Sequence, residues 1–157
     1  AIKYDGGVIA CADTRTHPII AGTSSGGVYT VDRVADKIDY VHNHIVVLRS
    51  GMAAQSQNAA HKVRYLIDSH AIEQGKLPYV KTAARMFKNL ITERIETGYI
   101  VAGWDPYEGP QVFSVNLGGA CLKRDWTMGG SGSGSFTDTV MQTTNQICHS
   151  KKQNNSV

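Results

Sequence analysis

The chain has 157 residues, of which 41% are hydrophobic and 18% are charged. This length accommodates one domain with a buried core, and the composition is typical of a globular protein, which excludes an intrinsically disordered chain. The formal net charge is only +3, and no basic run is interleaved with aromatic residues. We therefore expect no nucleic-acid partner.

Three cysteines, Cys11, Cys121 and Cys148, are odd in number and widely spaced. This pattern favours a reduced intracellular compartment over a disulfide framework, and it lacks the pairing typical of a zinc site. No apolar stretch approaches the length of a membrane span, and the first residues do not resemble a signal peptide. We expect a soluble cytoplasmic protein that uses no metal, no cofactor and no membrane.

The first 51 residues consist of short apolar runs separated by turn signals. An Asp-Gly-Gly turn at residues 5–7 and a break at Ser50-Gly51 bound this region, and such punctuation is typical of strands and hairpins. We predict a hairpin of residues 2–4 and 8–12, a surface loop over 16–27, a strand over 28–31, and a second hairpin of residues 38–41 and 45–49.

The spacing of the apolar residues changes in the middle of the chain. From Met52 the apolar residues recur at helical spacing up to about Gly75, and they do so again from Pro78 to about Gly98, which predicts two helices. Strands return at 99–102, 111–115, 120–122 and 126–128. Helices grouped between two sets of strands indicate an α+β fold with an antiparallel sheet.

The end of the chain has a different composition. Residues 129–135 are only Gly and Ser, and residues 142–157 are polar without a sustained period. A Gly-Ser run is usually a flexible linker, and that interpretation stays open here. We predict one domain over residues 1–140 and a disordered polar tail over residues 141–157.

Several strings in a fixed order resemble one known family. They are Tyr4-Asp5-Gly6-Gly7-Val8, Ala12-Asp13-Thr14-Arg15, Arg33-Val34-Ala35-Asp36-Lys37, Arg49-Ser50-Gly51-Met52-Ala53-Ala54, Ala102-Gly103-Trp104-Asp105 and Gly129-Gly130-Ser131-Gly132-Ser133. Together they resemble the beta subunits of the 20S proteasome, from residue 1 to about residue 135.

The resemblance implies a fold, partners and a substrate. The fold is that of the N-terminal nucleophile hydrolases, a sandwich of two antiparallel sheets flanked by helices, which would be incomplete in this chain. The implied partners are other proteasome alpha and beta subunits in stacked seven-membered rings, and the implied substrate is a polypeptide. Members of the family work in the cytoplasm and the nucleus.

The active members of the family use an N-terminal threonine as nucleophile, and its own α-amine accepts the hydroxyl proton. An α-amine has an unperturbed pKa of about 7.7–8.0, which suits a base at working pH. By resemblance, Lys37 is the buried lysine that lowers the pKa of the threonine, and Asp13 is the carboxylate that holds Lys37. From the residues alone, a solvated lysine and a turn-forming aspartate are the alternatives, although both residues lie at strand ends and can meet there.

Two further residues match the catalytic pattern of the family. Gly51 lies at the junction of a strand and a helix, where its N–H can serve as an oxyanion donor. The alternative interpretation of Gly51 is an ordinary glycine at the start of a helix. Ser131 resembles the serine that hydrogen-bonds the threonine amine, and here the alternative is the flexible linker.

Arg49 predicts the specificity. It stands at the position that floors the primary specificity pocket in the family, and a guanidinium can clamp a substrate carboxylate through two hydrogen bonds. The prediction is therefore cleavage after Asp or Glu, which is the caspase-like type. The alternative is an arginine in a surface salt bridge. Substrate would bind as an added strand between the loop near Ala21 and the segment around Gly51 and Ala53.

The sequence departs from the family in three places. Ala1 has an amine but no hydroxyl, so we expect the threonine ahead of it, in a segment outside this sequence. The loop over residues 16–27 is longer than usual, and the match fades after about residue 135. We expect a fragment that lacks the last third of the fold and is inactive as written.

Two other functions compete with a peptidase. One is a ring-forming beta subunit without activity, which the presence of Lys37 disfavours. The other is a phosphate-binding module built on residues 129–135. That stretch lacks the Gly-Lys-Ser/Thr ending of a P-loop, so we disfavour it.

Overall fold

A computed structural model of the chain describes residues 1–16, 32–91 and 97–137. The chain divides into two compact units, Ala1–Thr127 and Met128–Val157. In the first unit the strands are β1 Ile2–Tyr4, β2 Gly7–Ile9, β3 Ile38–His42, β4 Ile45–Gly51, β5 Thr97–Asp105, β6 Gly109–Val115 and β7 Cys121–Arg124, and the helices are α1 Ala53–Gln74 and α2 Val80–Leu90. In the second unit the described residues, 128–137, contain a short helical segment at 133–137.

The main sheet is antiparallel throughout its described strands. Its order is β3-β4-β5-β6-β7, and β1 and β2 form a separate two-stranded hairpin. The register places Val47 opposite Val101 and Val101 opposite Phe113. Because both helices fall between β4 and β5, the predicted α+β class is confirmed.

The hydrophobic core lies between the two helices and one face of this sheet. Val47, Val101 and Phe113 contribute to this core from three neighbouring strands, and α1 and α2 cover them. Helix α1 buries residues at helical spacing, Ala59, Val63 and Ile67, which is why the 3.6-residue period was visible in the sequence. None of the described helices combines the length and apolarity needed to cross a bilayer.

The other face of the sheet is covered by the β1–β2 hairpin. Successive residues of a strand point to opposite faces, yet Val101 and Ala102 are both buried. The hairpin contacts β5 and β6, and a backbone hydrogen bond of 2.8 Å from Lys3 N to Asp125 O ties it to the chain after β7. The middle of β5, residues 101–103, is therefore buried on both faces of the sheet.

Asp105 fixes the start of helix α2. Its carboxylate is buried and accepts hydrogen bonds from the Val80 N–H at 3.0 Å and from Gln111 Nε2 at 2.6 Å. The other carboxylate oxygen accepts the N–H groups of Tyr107 and Glu108. A carboxylate at a helix N-terminus is stabilised by the unpaired N–H groups there. No local sequence pattern predicts this role, because Asp105 and Val80 are 25 residues apart.

Most predicted elements are confirmed with shifted bounds. Both hairpins are present, but residues 28–31 and nearly all of the predicted loop, 17–27, lie outside the described residues. The second helix ends at Leu90 rather than near Gly98, and β5 begins at Thr97, which pairs with Gly51. The predicted strand over 126–128 is wrong. In the part of the chain that the structure describes, Trp126 makes a single bridge, to Ile2.

Gly103 permits the close approach of β4 and β5. A Cβ at this position would lie 3.1 Å from Ile45 Cα and would overlap the carbonyl oxygen of His44, which accepts the Trp104 N–H at 3.0 Å. We expect Gly103→Ala to lower the free energy of unfolding by about 1–3 kcal/mol, the usual cost of overpacking. Urea unfolding of this chain measures it. Gly118→Ala, where a Cβ meets nothing within 4 Å, is the control. Equal midpoints for both variants would contradict this explanation.

Candidate active site

The end of β4 and the start of α1 form an exposed strand-to-helix junction. Gly51 has φ of 106°, which favours glycine, and Met52 is extended before the helix begins at Ala53. No side chain among the described residues caps α1, and its first turn contains no acidic residue. The N–H groups of an uncapped helix start carry partial positive charge. The junction can therefore hold a negatively charged oxygen.

Lys37 and Asp13 form an ion pair on segments that are joined to the end of β4. Lys37 Nζ lies 2.8 Å from Asp13 Oδ1 and donates a second hydrogen bond, of 2.6 Å, to the carbonyl oxygen of Arg15. The side chains are 24% and 69% exposed, respectively. The lysine is thus only partly buried, whereas the resemblance implied a buried one. The lysine's role in catalysis stays a prediction.

Backbone hydrogen bonds bring the two segments of the pair together. Ala35 N donates to Thr14 O at 3.0 Å, and Thr16 N donates to Asp32 O at 2.9 Å. Lys37 O accepts the Arg49 N–H at 3.0 Å. The lysine is therefore attached to β4 two residues before Gly51.

The ion pair changes the charge state of Asp13. The hydrogen bond from Lys37 holds the pKa of the Asp13 carboxyl below its ordinary value. The N–H of Arg15 acts in the same direction, at 3.1 Å from Asp13 Oδ2. Asp13 therefore remains an acceptor for the ammonium throughout the neutral range.

Arg49 uses all three guanidinium nitrogens within the chain. Its Nε faces Asp39 Oδ2 in an ion pair. Its Nη2 donates to Asp36 O at 2.8 Å, and its Nη1 donates to Ser56 Oγ at 3.2 Å. The Arg49 side chain is only 7% exposed. Arg49 thus connects β3 and β4 to the first turns of α1.

The remaining predicted residues differ in how they relate to this region. Ala53 is the exposed first residue of α1, and its carbonyl oxygen accepts the Ser56 hydroxyl at 2.9 Å. Ala21 lies outside the described residues. Ser131 belongs to the second unit, where it is exposed in a turn closed by a hydrogen bond of 3.1 Å from Ser133 N to Gly130 O. The structure therefore groups Asp13, Lys37, Arg49, Gly51 and Ala53.

Sequence analysis missed the residues that surround Arg49. Asp39 lies two positions after Lys37, so the alternation of a strand places both on one side of the sheet, and this spacing was the available signal. Tyr99 and Thr97 pair with Arg49 and Gly51 on the neighbouring strand. Burial raises the pKa of the Tyr99 phenol, while Thr97 and Arg49 act in the opposite direction.

The chain belongs to the proteasome subunit family, whose model matches residues 1–146. The N-terminal nucleophile hydrolase fold, predicted from the sequence, is therefore its fold. The match covers the ion pair, the strand-to-helix junction and Arg49.

Several curated proteins are similar to the chain. It is 41% identical over 136 residues to proteasome subunit beta type-6 of Dictyostelium discoideum, a match that covers 85% of the chain and 60% of the relative. It is 38% identical over 135 residues to proteasome subunit beta type-6 of Arabidopsis thaliana, covering 84% of the chain and 54% of the relative. A probable proteasome subunit beta type-1 of Encephalitozoon cuniculi is 38% identical over 135 residues, covering 85% of the chain and 62% of the relative. The chain thus spans little more than half the length of these relatives.

Lys37→Met should raise the pKa of Asp13 toward its ordinary value near 3.8, because the variant removes the hydrogen bond that lowers it. Since the folded-state pKa lies below the unfolded one, the pair's contribution to stability is complete above the ordinary pKa. It is lost as the pH falls through the folded value. NMR titration of the Asp13 carboxyl in this chain measures the shift.

The control for this titration is Lys3→Met. That variant removes the ion pair of 3.0 Å between Lys3 and Asp125 and should leave the Asp13 titration unchanged. An Asp13 pKa that is the same with and without Lys37 would refute the assigned cause.

Proposed function

We propose that the chain is a threonine-type endopeptidase subunit of the proteasome core particle and that it cleaves polypeptides after acidic residues. The observation that carries the proposal is the Lys37 ammonium, held 2.8 Å from Asp13, on a segment whose backbone binds β4 two residues before Gly51. The proposed nucleophile is a threonine hydroxyl in a segment that is not part of this sequence.

Lys37 would act on the nucleophile through its charge. An ammonium beside a hydroxyl and an amine favours the deprotonated form of both, which makes the hydroxyl a better nucleophile and the amine a usable base. Asp13 and the Arg15 carbonyl oxygen hold the ammonium, so its position is fixed before substrate arrives. Fixed charges of this kind need no reorganisation during the reaction.

Gly51 and the first turn of α1 would stabilise the oxyanion. A tetrahedral intermediate places negative charge on the former carbonyl oxygen, and N–H groups at a helix start are suited to bind it. The positive φ of Gly51 sets the direction of the chain as it enters this turn. An extended substrate would pair with the exposed segment around Gly51 and Ala53.

Arg49 supports the preference for acidic residues. A guanidinium carries five N–H donors, and three are used by Asp39, Asp36 and Ser56. Two donors remain for a carboxylate of the substrate.

We propose further that the protein works in the cytoplasm and nucleus, with other alpha and beta subunits in stacked seven-membered rings.

The second candidate is a non-catalytic beta subunit that serves ring assembly alone. The low exposure of Arg49, 7%, favours it, because an arginine tied into the fold is explained without a substrate. Lys37 favours the enzyme, because it matches the lysine of the active members of the family and its ammonium is held in place by Asp13 and the Arg15 carbonyl oxygen.

We expect Lys37→Ala to abolish cleavage by this subunit in an assembled core particle. The loss in kcat/KM should be at least about 100-fold, since positioned groups that assist proton transfer contribute about 10²–10⁴-fold. Lys3→Ala removes another partly exposed ion-paired lysine and is the control. Normal turnover by correctly assembled Lys37→Ala particles would exclude the catalytic role.

Arg49→Met should lower the preference for acidic substrates. The side chain keeps its apolar body and loses its charge, so the ratio of kcat/KM for peptides with Glu over Leu before the scissile bond should fall. We expect a drop of at least about tenfold, because hydrogen bonds to charged groups contribute roughly 1.5–3 kcal/mol.

Arg64→Met, which changes an exposed arginine of α1, is the matched control and should keep the ratio. Native gels check that both variants assemble. An acidic preference that survives in Arg49→Met would contradict the pocket assignment.

A further inference from the structure

The two members of the Arg49–Asp39 ion pair are unequally exposed. The Arg49 side chain is 7% exposed and the Asp39 side chain is 34% exposed. Asp39 therefore offers a larger share of its side chain to solvent than Arg49 does, although the Oδ2 atom that faces Arg49 is itself buried. This difference is unexpected for a pocket that selects negative charge.

The register of β3 and β4 places Asp39 and Arg49 next to each other. Asp39 lies opposite Val47, and Lys37 O accepts the Arg49 N–H, so Asp39 is the diagonal neighbour of Arg49 on the same face of the sheet. The other two contacts of Arg49, with Asp36 O and Ser56 Oγ, are to uncharged atoms. Within the contacts described for Arg49, Asp39 supplies the negative charge.

We propose that Asp39 is a specificity-determining residue that competes with acidic substrate side chains for Arg49. This inference rests on the proposed function. A substrate carboxylate must either displace Asp39 from the guanidinium or share the guanidinium with it. Sharing brings two carboxylates together, and like charges at short range repel each other.

The consequence is a weakened discrimination between acidic and amide side chains. With Asp39 charged, the net charge of the pair is zero, so Glu gains little over the isosteric but neutral Gln. With Asp39 neutralised, the buried guanidinium is left without a counter-ion, and a carboxylate of the substrate becomes its natural partner. Asp39 thus tunes the selectivity that Arg49 provides.

The test is Asp39→Asn in the assembled core particle. The variant replaces one carboxylate oxygen by an amide NH₂ group, so it removes charge while conserving shape. The readout is the ratio of kcat/KM for two peptides that differ only by Glu or Gln before the scissile bond. We expect this ratio to rise about tenfold, which corresponds to about 1.4 kcal/mol, mainly through a lower KM for the Glu peptide.

Asp68→Asn is the matched control. It neutralises an exposed carboxylate of α1, and Asp68 makes none of the contacts described for Arg49. The ratio should stay near that of the wild type. In an Arg49→Met background, Asp39→Asn should raise the ratio less than it does in the wild type, because the group for which Asp39 competes is gone and only the direct repulsion between the carboxylates is relieved.

Each outcome has a defined meaning. If wild-type particles cleave after Glu and Asp39→Asn leaves the ratio unchanged, the inference is overturned while the proposed function stands. If no peptide is cleaved by wild-type particles that assemble normally, the proposed function fails and the inference falls with it. Should Asp39→Asn assemble poorly, Asp39→Thr, with a residue suited to strands, gives the same comparison, and an unchanged ratio there also overturns the inference.

Discussion

The ion pair between Lys37 and Asp13 joins two segments that are 24 residues apart in the sequence. Its geometry depends on the sheet, because the carbonyl oxygen of Lys37 accepts the Arg49 N–H and so fixes the lysine relative to β4. The same strand leads through Gly51 into the uncapped start of α1. A slip of one residue between β3 and β4 would turn Lys37 and Asp39 to the opposite face and would separate the charge from the helix start.

Arg49 is the second element that the sheet positions, and under the proposed function it has two roles that compete. As part of the fold, its guanidinium links Asp39 on β3 to Ser56 on α1, and a buried charge of this kind is costly to leave unpaired. As a specificity residue it must also reach a substrate. The unequal exposure of Arg49 and Asp39 connects the two roles, because whatever holds the arginine in place also reduces its availability. Selectivity for acidic residues is then a property of the pair.

The fold class and most of the described elements could be predicted from the sequence because their periods are local. Ala59, Val63 and Ile67 repeat with the helical period, and the Asp-Gly-Gly turn at 5–7 marks the first hairpin. The end of α2 and the start of β5 were missed because Thr97 is held by pairing with Gly51, a contact 46 residues away. The role of Asp105 at the start of α2 was missed for the same reason. Within the site, family resemblance suggested Asp13, Lys37, Arg49 and Gly51, but the partners of Arg49 depend on strand register and required coordinates.

The central claim is that Lys37 stands next to the nucleophile of a peptidase. An experimental structure of the assembled core particle, treated with an electrophile that modifies catalytic threonines, tests this most directly through one distance. We predict density for the adduct at this subunit, with Lys37 Nζ within about 2.6–3.2 Å of the modified oxygen, the range of a functional hydrogen bond. An adduct-free subunit in which the Lys37–Asp13 pair is intact, while other subunits of the same particle are modified, would contradict the claim.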